Sequence, residues 1–266
     1  MIQYFEVEKI MLGPVTLHVW GLMVALGLGV AIFYAYKLAG KYLLSQAIIL
    51  DSAVWMLIGA FVGARIFYVV FYEPAYFMAH PENIFKIWQG GAASTGGFIG
   101  ALAALYLFAK VRKLKFQELW PYFDILAVSL WLGWGLGRLG CFLTHLHPGK
   151  LTNFFLAVNY PGGARFDLGL FESITGFALF AVFAVMFKRL IKKRWGLVAL
   201  YSTASYAMIR FFLDFLRAAP LEYGAGDARY WSLTPAQWGM AAALVGLGLL
   251  ITKNKSAKAN AELLPD

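Results

Sequence analysis

The sequence predicts an all-α membrane protein: a polytopic bundle of seven transmembrane helices, with the N-terminus outside and the C-terminus cytoplasmic. Three observations carry this. First, the 266 residues are 61% hydrophobic and 14% charged, and the apolar residues gather in runs that supply the roughly 20 helical residues needed to cross a bilayer core. Second, those runs are unbroken Leu/Ala/Val/Gly/Phe stretches, without the alternation over about 10 residues that marks β-barrel strands. Third, of the 23 Lys and Arg, 14 fall on one set of connections and the C-terminal tail, and 6 on the other set. The positive-inside rule makes the richer side cytoplasmic. A net charge of +9 placed this way favours anionic lipid headgroups and argues against a nucleic-acid partner.

Taken in order, the spans are expected at 15–36, 47–72, 93–110, 122–143, 167–188, 196–216 and 234–252. The first is read as a retained helix, because no basic stretch precedes it and it exceeds the core of a cleavable signal. Between the second and third spans, HPENIFKIWQGG has Pro81 placed to start a helical turn. Ile84, Phe85, Ile87 and Trp88 give that turn an apolar side for the outer interface. The third span opens on GGAASTGGFIGA, a glycine-rich helix start whose amides would attract anions. The connection over 144–166 is rich in Pro, Gly and His, and the last outer loop places Tyr223, Tyr230 and Trp231 where interfacial aromatics belong. No linker or repeat divides the chain, so residues 1–252 are expected to form one membrane domain followed by a polar tail over 253–266.

Three arginines remain inside spans: Arg65, Arg138 and Arg210. Each lies five to seven residues short of the outer end of its helix. At 1.5 Å per residue that is roughly 7–10 Å below the outer boundary. An arginine at membrane depth costs at least about 2.5 kcal/mol, so it faces the bundle interior and a partner. Asp214, one turn from Arg210, and Glu172, just inside the fifth span, are the candidate partners. Structural ion pairs or snorkelling are the plainer alternative. Guanidinium forks suit phosphate, so arginines meeting in the outer leaflet point to a phospholipid headgroup.

Gly133, Gly135, Gly137 and Gly140 surround Arg138 and permit close approach of a helix or a ligand. Asp51 and Asp124 sit near inner span ends, where capping roles are expected. The single cysteine, Cys141, reads as a small buried filler and excludes an intrachain disulfide. No metal centre or cofactor is expected, because His145 and His147 lack a third clear ligand.

GGAASTGGFIGA, GRLGCF followed by HPGK, RFDLGLFE and RFFLDFLR, in that order on a seven-span bundle, resemble the phosphatidylglycerol–prolipoprotein diacylglyceryl transferase family. The resemblance runs from LHVWGLM at Leu17 to the seventh span, and GRLG is its most specific element. It implies transfer of the diacylglyceryl group of phosphatidylglycerol to the lipobox cysteine of prolipoproteins, at the outer leaflet of the bacterial inner membrane, with release of glycerol phosphate. Phosphatidylglycerol, lipobox peptides and membrane lipids are the implied partners. Carried over by motif, Arg138 would grip the phosphate, Arg210 would offset charge on the leaving group, and Asp214 would orient Arg210 or move a proton. Glu172 would support the pocket wall, with Arg65, Thr95, Gly96, Gly97, Gly137, Gly140, Cys141, His145 and Gly149 completing the substrate site.

The chain departs from the family at Thr95 (usually His, in HGG), Cys141 (usually Asn), Phe166 (usually His), Phe171 (usually Tyr) and Asp214 (usually Glu). Thr95 cannot act as a base near neutral pH, so the thiol proton needs another acceptor. His147 and His145, just past the arginine helix, are the candidates, with a helix-capping role as the alternative for each. Two other functions use the same arginines. A transporter or flippase would line an anion route with them, but would show inverted repeats and broken helices that this sequence lacks. A lipid-binding member without activity would keep the fold alone.

Overall fold

A computed structural model describes residues 1–86, 90–218 and 229–261, with side chains described up to residue 249 except those of Ser94 and Thr95. The chain is mostly helical: α1 (Val19–Lys41), α2 (Gln46–Phe71), the short α3 (Pro74–Ala79), α4 (Ser94–Val111), α5 (Trp120–Leu143), α6 (Leu168–Lys193), α7 (Leu197–Leu213) and α8 (Pro235–Ala261). A helix thus stands at each of the seven expected positions. Among the described residues, four segments are long and apolar enough to cross a membrane: Val19–Lys41, Gln46–Phe71, Phe116–Leu143 and Leu168–Lys193.

The expectation of an all-α chain needs one correction. Six short strands are present, β1 (Ile2–Gln3), β2 (Lys9–Leu12), β3 (Val15–His18), β4 (Pro148–Leu151), β5 (Val158–Tyr160) and β6 (Gly163–Asp167). β1, β5, β6 and β4 form one sheet in that order, and β2 and β3 form a separate hairpin. The cause lies in Tyr160-Pro161-Gly162-Gly163, where Gly162 (φ +97°) and Gly163 (φ +126°) occupy left-handed backbone open to glycine. That turn folds β5 back onto β6, pairing Val158 with Arg165 and Tyr160 with Gly163. Runs this short and this rich in Pro and Gly carry too little alternation to read as strands.

The chain divides into two compact units, residues 1–33 with 123–266, and residues 34–122. In the second unit α2 lies against α4 through glycines: a Cβ on Gly63 would strike the carbonyl of Gly96, and one on Gly100 the carbonyl of Gly59. This is small-residue helix packing. In the first unit α5 is gripped from two sides by the same device. A Cβ at Gly133 would lie 2.7 Å from the Gly27 carbonyl on α1, and one at Gly176 on α6 2.7 Å from the Gly135 nitrogen. Buried Asp124 accepts from the amides of Gly196 (2.6 Å) and Ala199 (2.8 Å), capping the start of α7 as expected. Asp51 pairs with Arg112. The expected interfacial turn is a 3₁₀ helix at Pro81–Phe85, while Ile87, Trp88 and Tyr223 lie outside the described residues.

Candidate active site

The site is built where α5 ends, α6 begins and α7 ends. Arg138 stands near the end of α5, Glu172 in the second turn of α6, and Arg210 in the last turn of α7. Glu172 is fully buried, with one oxygen 2.9 Å from Arg138 Nε and the other 3.4 Å from Arg210 Nη1. One carboxylate therefore fastens two guanidinium groups from separate helices. A buried carboxylate needs such partners, since an unpaired charge in this environment would cost several kcal/mol.

The chain of charges continues. Asp214, also fully buried, lies 2.7 Å from Arg210 Nη1 and accepts from Arg217 Nε at 2.6 Å. Its second oxygen accepts from the Thr234 hydroxyl at the start of α8. Gln237 holds that turn, accepting from the Thr234 amide at 2.9 Å and donating to the Phe211 carbonyl at 3.1 Å. Three arginines thus alternate with two carboxylates, leaving one net positive charge, which matches a phosphodiester. The guanidinium of Arg138 keeps some exposure, lies 4.6 Å over the Trp134 ring, and brings Nη1 to 3.9 Å from Cys141 Sγ.

Arg217 joins this chain of charges, and sequence reasoning missed it because counting basic residues by loop assigned it to topology. The signal was present in RFFLDFLR, where Arg217 follows Asp214 by three residues. Gly149 explains how the connection between α5 and α6 reaches it. A Cβ there would lie 2.6 Å from the Leu216 carbonyl, so only glycine lets β4 form its bridge to Arg217. The Gly149 carbonyl also accepts from buried Arg165 at 3.0 Å.

The two histidines separate. His147 is half-buried, and its carbonyl accepts from the Leu168 amide at 3.1 Å. Burial, with Arg138, Arg217 and Arg210 adding repulsion, lowers its pKa to about 4, so it is neutral at neutral pH. His145 is buried elsewhere: Nδ1 lies 2.7 Å from Asp167 Oδ2, which also accepts from the Tyr160 hydroxyl at 2.6 Å, and the ring stacks on Tyr4 at 4.9 Å. Asp167 in turn caps α6 through the Leu170 amide. This arrangement locks the sheet to the helix start and corrects the expectation of His145 as a base or substrate contact.

Arg65 is likewise committed. It is buried, and its guanidinium donates to the carbonyls of Ile84 (2.8 Å), Gly90 (2.6 Å), Gly91 (2.8 Å), Asn83 (2.5 Å) and Lys86 (3.4 Å). Gly90 and Gly91, at φ +88° and +77°, turn their carbonyls onto it. Its donors serve the backbone, which corrects the assignment of Arg65 to substrate.

Gly140 packs on Met23 and Gly96 on α2, so both serve helix contacts, whereas a Cβ added at Gly137 or Gly97 would meet its nearest neighbours at 3.6 Å or more, ordinary van der Waals contact. Cys141 is buried filler beside Arg138. The Thr95 side chain lies outside the described residues.

A family model for prolipoprotein diacylglyceryl transferase matches residues 8–252. The chain belongs to that family. Relatives named phosphatidylglycerol–prolipoprotein diacylglyceryl transferase include one from Nostoc sp., 31% identical over 259 residues and covering 92% of this chain and 89% of its own. Another, from Mesorhizobium japonicum, is 32% identical over 228 residues, covering 81% and 79%. A third, from Bartonella tribocorum, is 32% identical over 269 residues, covering 94% and 91%. Family membership makes this chain a multi-pass membrane transferase.

Proposed function

We propose that this chain transfers the diacylglyceryl group of phosphatidylglycerol to the lipobox cysteine thiol of prolipoproteins, at the outer leaflet of the bacterial inner membrane, using seven spans with the N-terminus outside. The observation that carries the reading is the fully buried Glu172 joining Arg138 to Arg210. Held this way, the two guanidinium groups offer preorganised donors to one phosphate and need no rearrangement as charge moves.

In the reaction, the thiol sulfur attacks the glyceryl carbon that bears the phosphate. A C–S bond forms, the C–O bond breaks, and its electron pair leaves on the glycerol phosphate, where Arg138 and Arg210 meet the developing charge. Asp214 and Arg217 hold Arg210 in place. The thiol proton goes to His147, whose imidazole is neutral before substrate arrives. The entering phosphate offsets the cations that depress its basicity, so the base strengthens as the site fills.

The test is direct. In membranes of phosphatidylglycerol with a lipobox peptide, the purified protein should add diacylglycerol to the peptide cysteine, read as a mass gain. An unmodified peptide would overturn the reading. Movement of a labelled headgroup across the bilayer would then support a transporter, and lipid binding without either event an inactive member.

A further inference from the structure

One helical turn inward of the arginines lies an aromatic layer whose indole N–H donors the charge chemistry does not use. Trp134 precedes Arg138 by four residues on α5, and Tyr206 precedes Arg210 by four on α7, so each aromatic lies one turn, about 6 Å, deeper on the same face. Trp131 is on that α5 face too, one further turn inward. The rings meet: Trp131 and Tyr206 centroids are 4.8 Å apart, and Trp134 and Tyr206 are 5.6 Å apart, edge to face.

Both indole nitrogens are buried, and neither has a hydrogen-bond partner among the described residues. An indole N–H can only donate. Leaving one buried and unmade costs about 1–3 kcal/mol, and here the cost falls twice within one turn of helix. Trp131 is 4% exposed, so its N–H has no access to water. Two donors without acceptors therefore call for a ligand that brings acceptors.

A diacyl phospholipid has its phosphate at one end of the glyceryl unit and its ester carbonyls on the inward side. We infer that Trp134 and Trp131 donate to the ester carbonyls of the donor lipid, forming a second binding layer beneath the phosphate site that selects ester-linked over ether-linked lipids. The inference rests on the transferase reading and extends it from headgroup to lipid backbone. Contact at the esters fixes the rotation of the glyceryl unit about the phosphate, which aims the reacting carbon outward to the thiol.

The experiment compares diacyl phosphatidylglycerol with its dialkyl ether analogue, which keeps the reacting carbon and phosphate but lacks the carbonyls. The wild-type protein should prefer the diacyl lipid by about tenfold in kcat/KM, as expected for a lost acceptor opposite a buried donor. Trp134→Phe and Trp131→Phe, which keep an aromatic ring and remove the N–H, should each shrink the ratio of diacyl to ether use, whatever fall in absolute rate follows from the altered ring beneath Arg138. Equal use of both lipids by the wild type overturns the inference, as does a variant that loses both substrates in proportion, which is what a merely structural tryptophan would produce. Displacement of a fluorescent phosphatidylglycerol by each lipid, read at equilibrium, must show the same preference. That readout separates the two failures, since an absent transfer reaction defeats the transferase reading while an absent binding preference defeats this one.

Discussion

Arg65 and Arg138 occupy matching places in the sequence, each near the C-terminal end of a long apolar helix, yet their surroundings differ in kind. The guanidinium of Arg65 faces five backbone carbonyls, two of them turned inward by left-handed glycines. Arg138 faces a carboxylate shared with Arg210, a tryptophan ring and a thiol, and keeps part of its fork exposed. One arginine ties down a loop. The other, on the proposed function, belongs to a pair held ready for an anion. Spacing along a helix gives depth, but only the partner distinguishes a structural cation from a binding one.

The contrast can be broken or sharpened by mutation. The largest effect is expected at Arg138→Ala and Arg210→Ala, each lowering transfer by a hundredfold or more with folding retained, in line with the removal of one preorganised donor to a transition-state anion. Steady-state transfer to a lipobox peptide measures it. Next, Glu172→Gln keeps the shape but strips the charge that two buried cations share, and should cost about 3 kcal/mol of stability, read by unfolding in detergent. Arg65→Lys should cost about 2 kcal/mol, because one ammonium cannot serve five carbonyls, while turnover of the folded fraction stays near the wild-type value. If Arg65→Lys removed turnover as completely as Arg138→Ala, the distinction between the two sites would collapse.

Smaller effects follow from packing and protonation. Gly133→Ala, which drives a methyl into the Gly27 carbonyl, should cost about 1–3 kcal/mol, whereas Gly137→Ala, whose nearest neighbour is Val24 at 3.8 Å, should cost little in stability and show itself in KM. His147 gives the mildest and most specific signal. Its pKa is lowered from 6.5 to about 4 in the folded protein, so the neutral form contributes stability that is present above about pH 6.5 and is lost as the pH falls from there to 4. His147→Gln should flatten that part of the stability profile.

Much of this was legible in the sequence, for physical reasons. Apolar runs of bilayer length impose helices, so a helix stands at each expected position. Buried charge demands a partner, so Asp214 and Glu172 could be named from Arg210 and Arg138. The sheet was not legible, because β5 has only three residues and its pairing depends on a glycine turn and on β1, more than 150 residues away in sequence. Arg65 was misread because its partners are carbonyls, which every residue carries. His145 was misread because its commitment to Asp167 and Tyr160 arises from the sheet. Trp131 and Trp134 escaped notice because aromatic residues are ordinary in a membrane helix until two indole donors are found unmatched.

The central claim is that Glu172 makes Arg138 and Arg210 a single anion receptor, and a double-mutant cycle on phosphatidylglycerol binding tests it most directly. If the two act as one unit, the Arg138→Ala/Arg210→Ala double variant should bind only slightly more weakly than either single variant. Losses that add in full would contradict the account, since they would describe two independent cations.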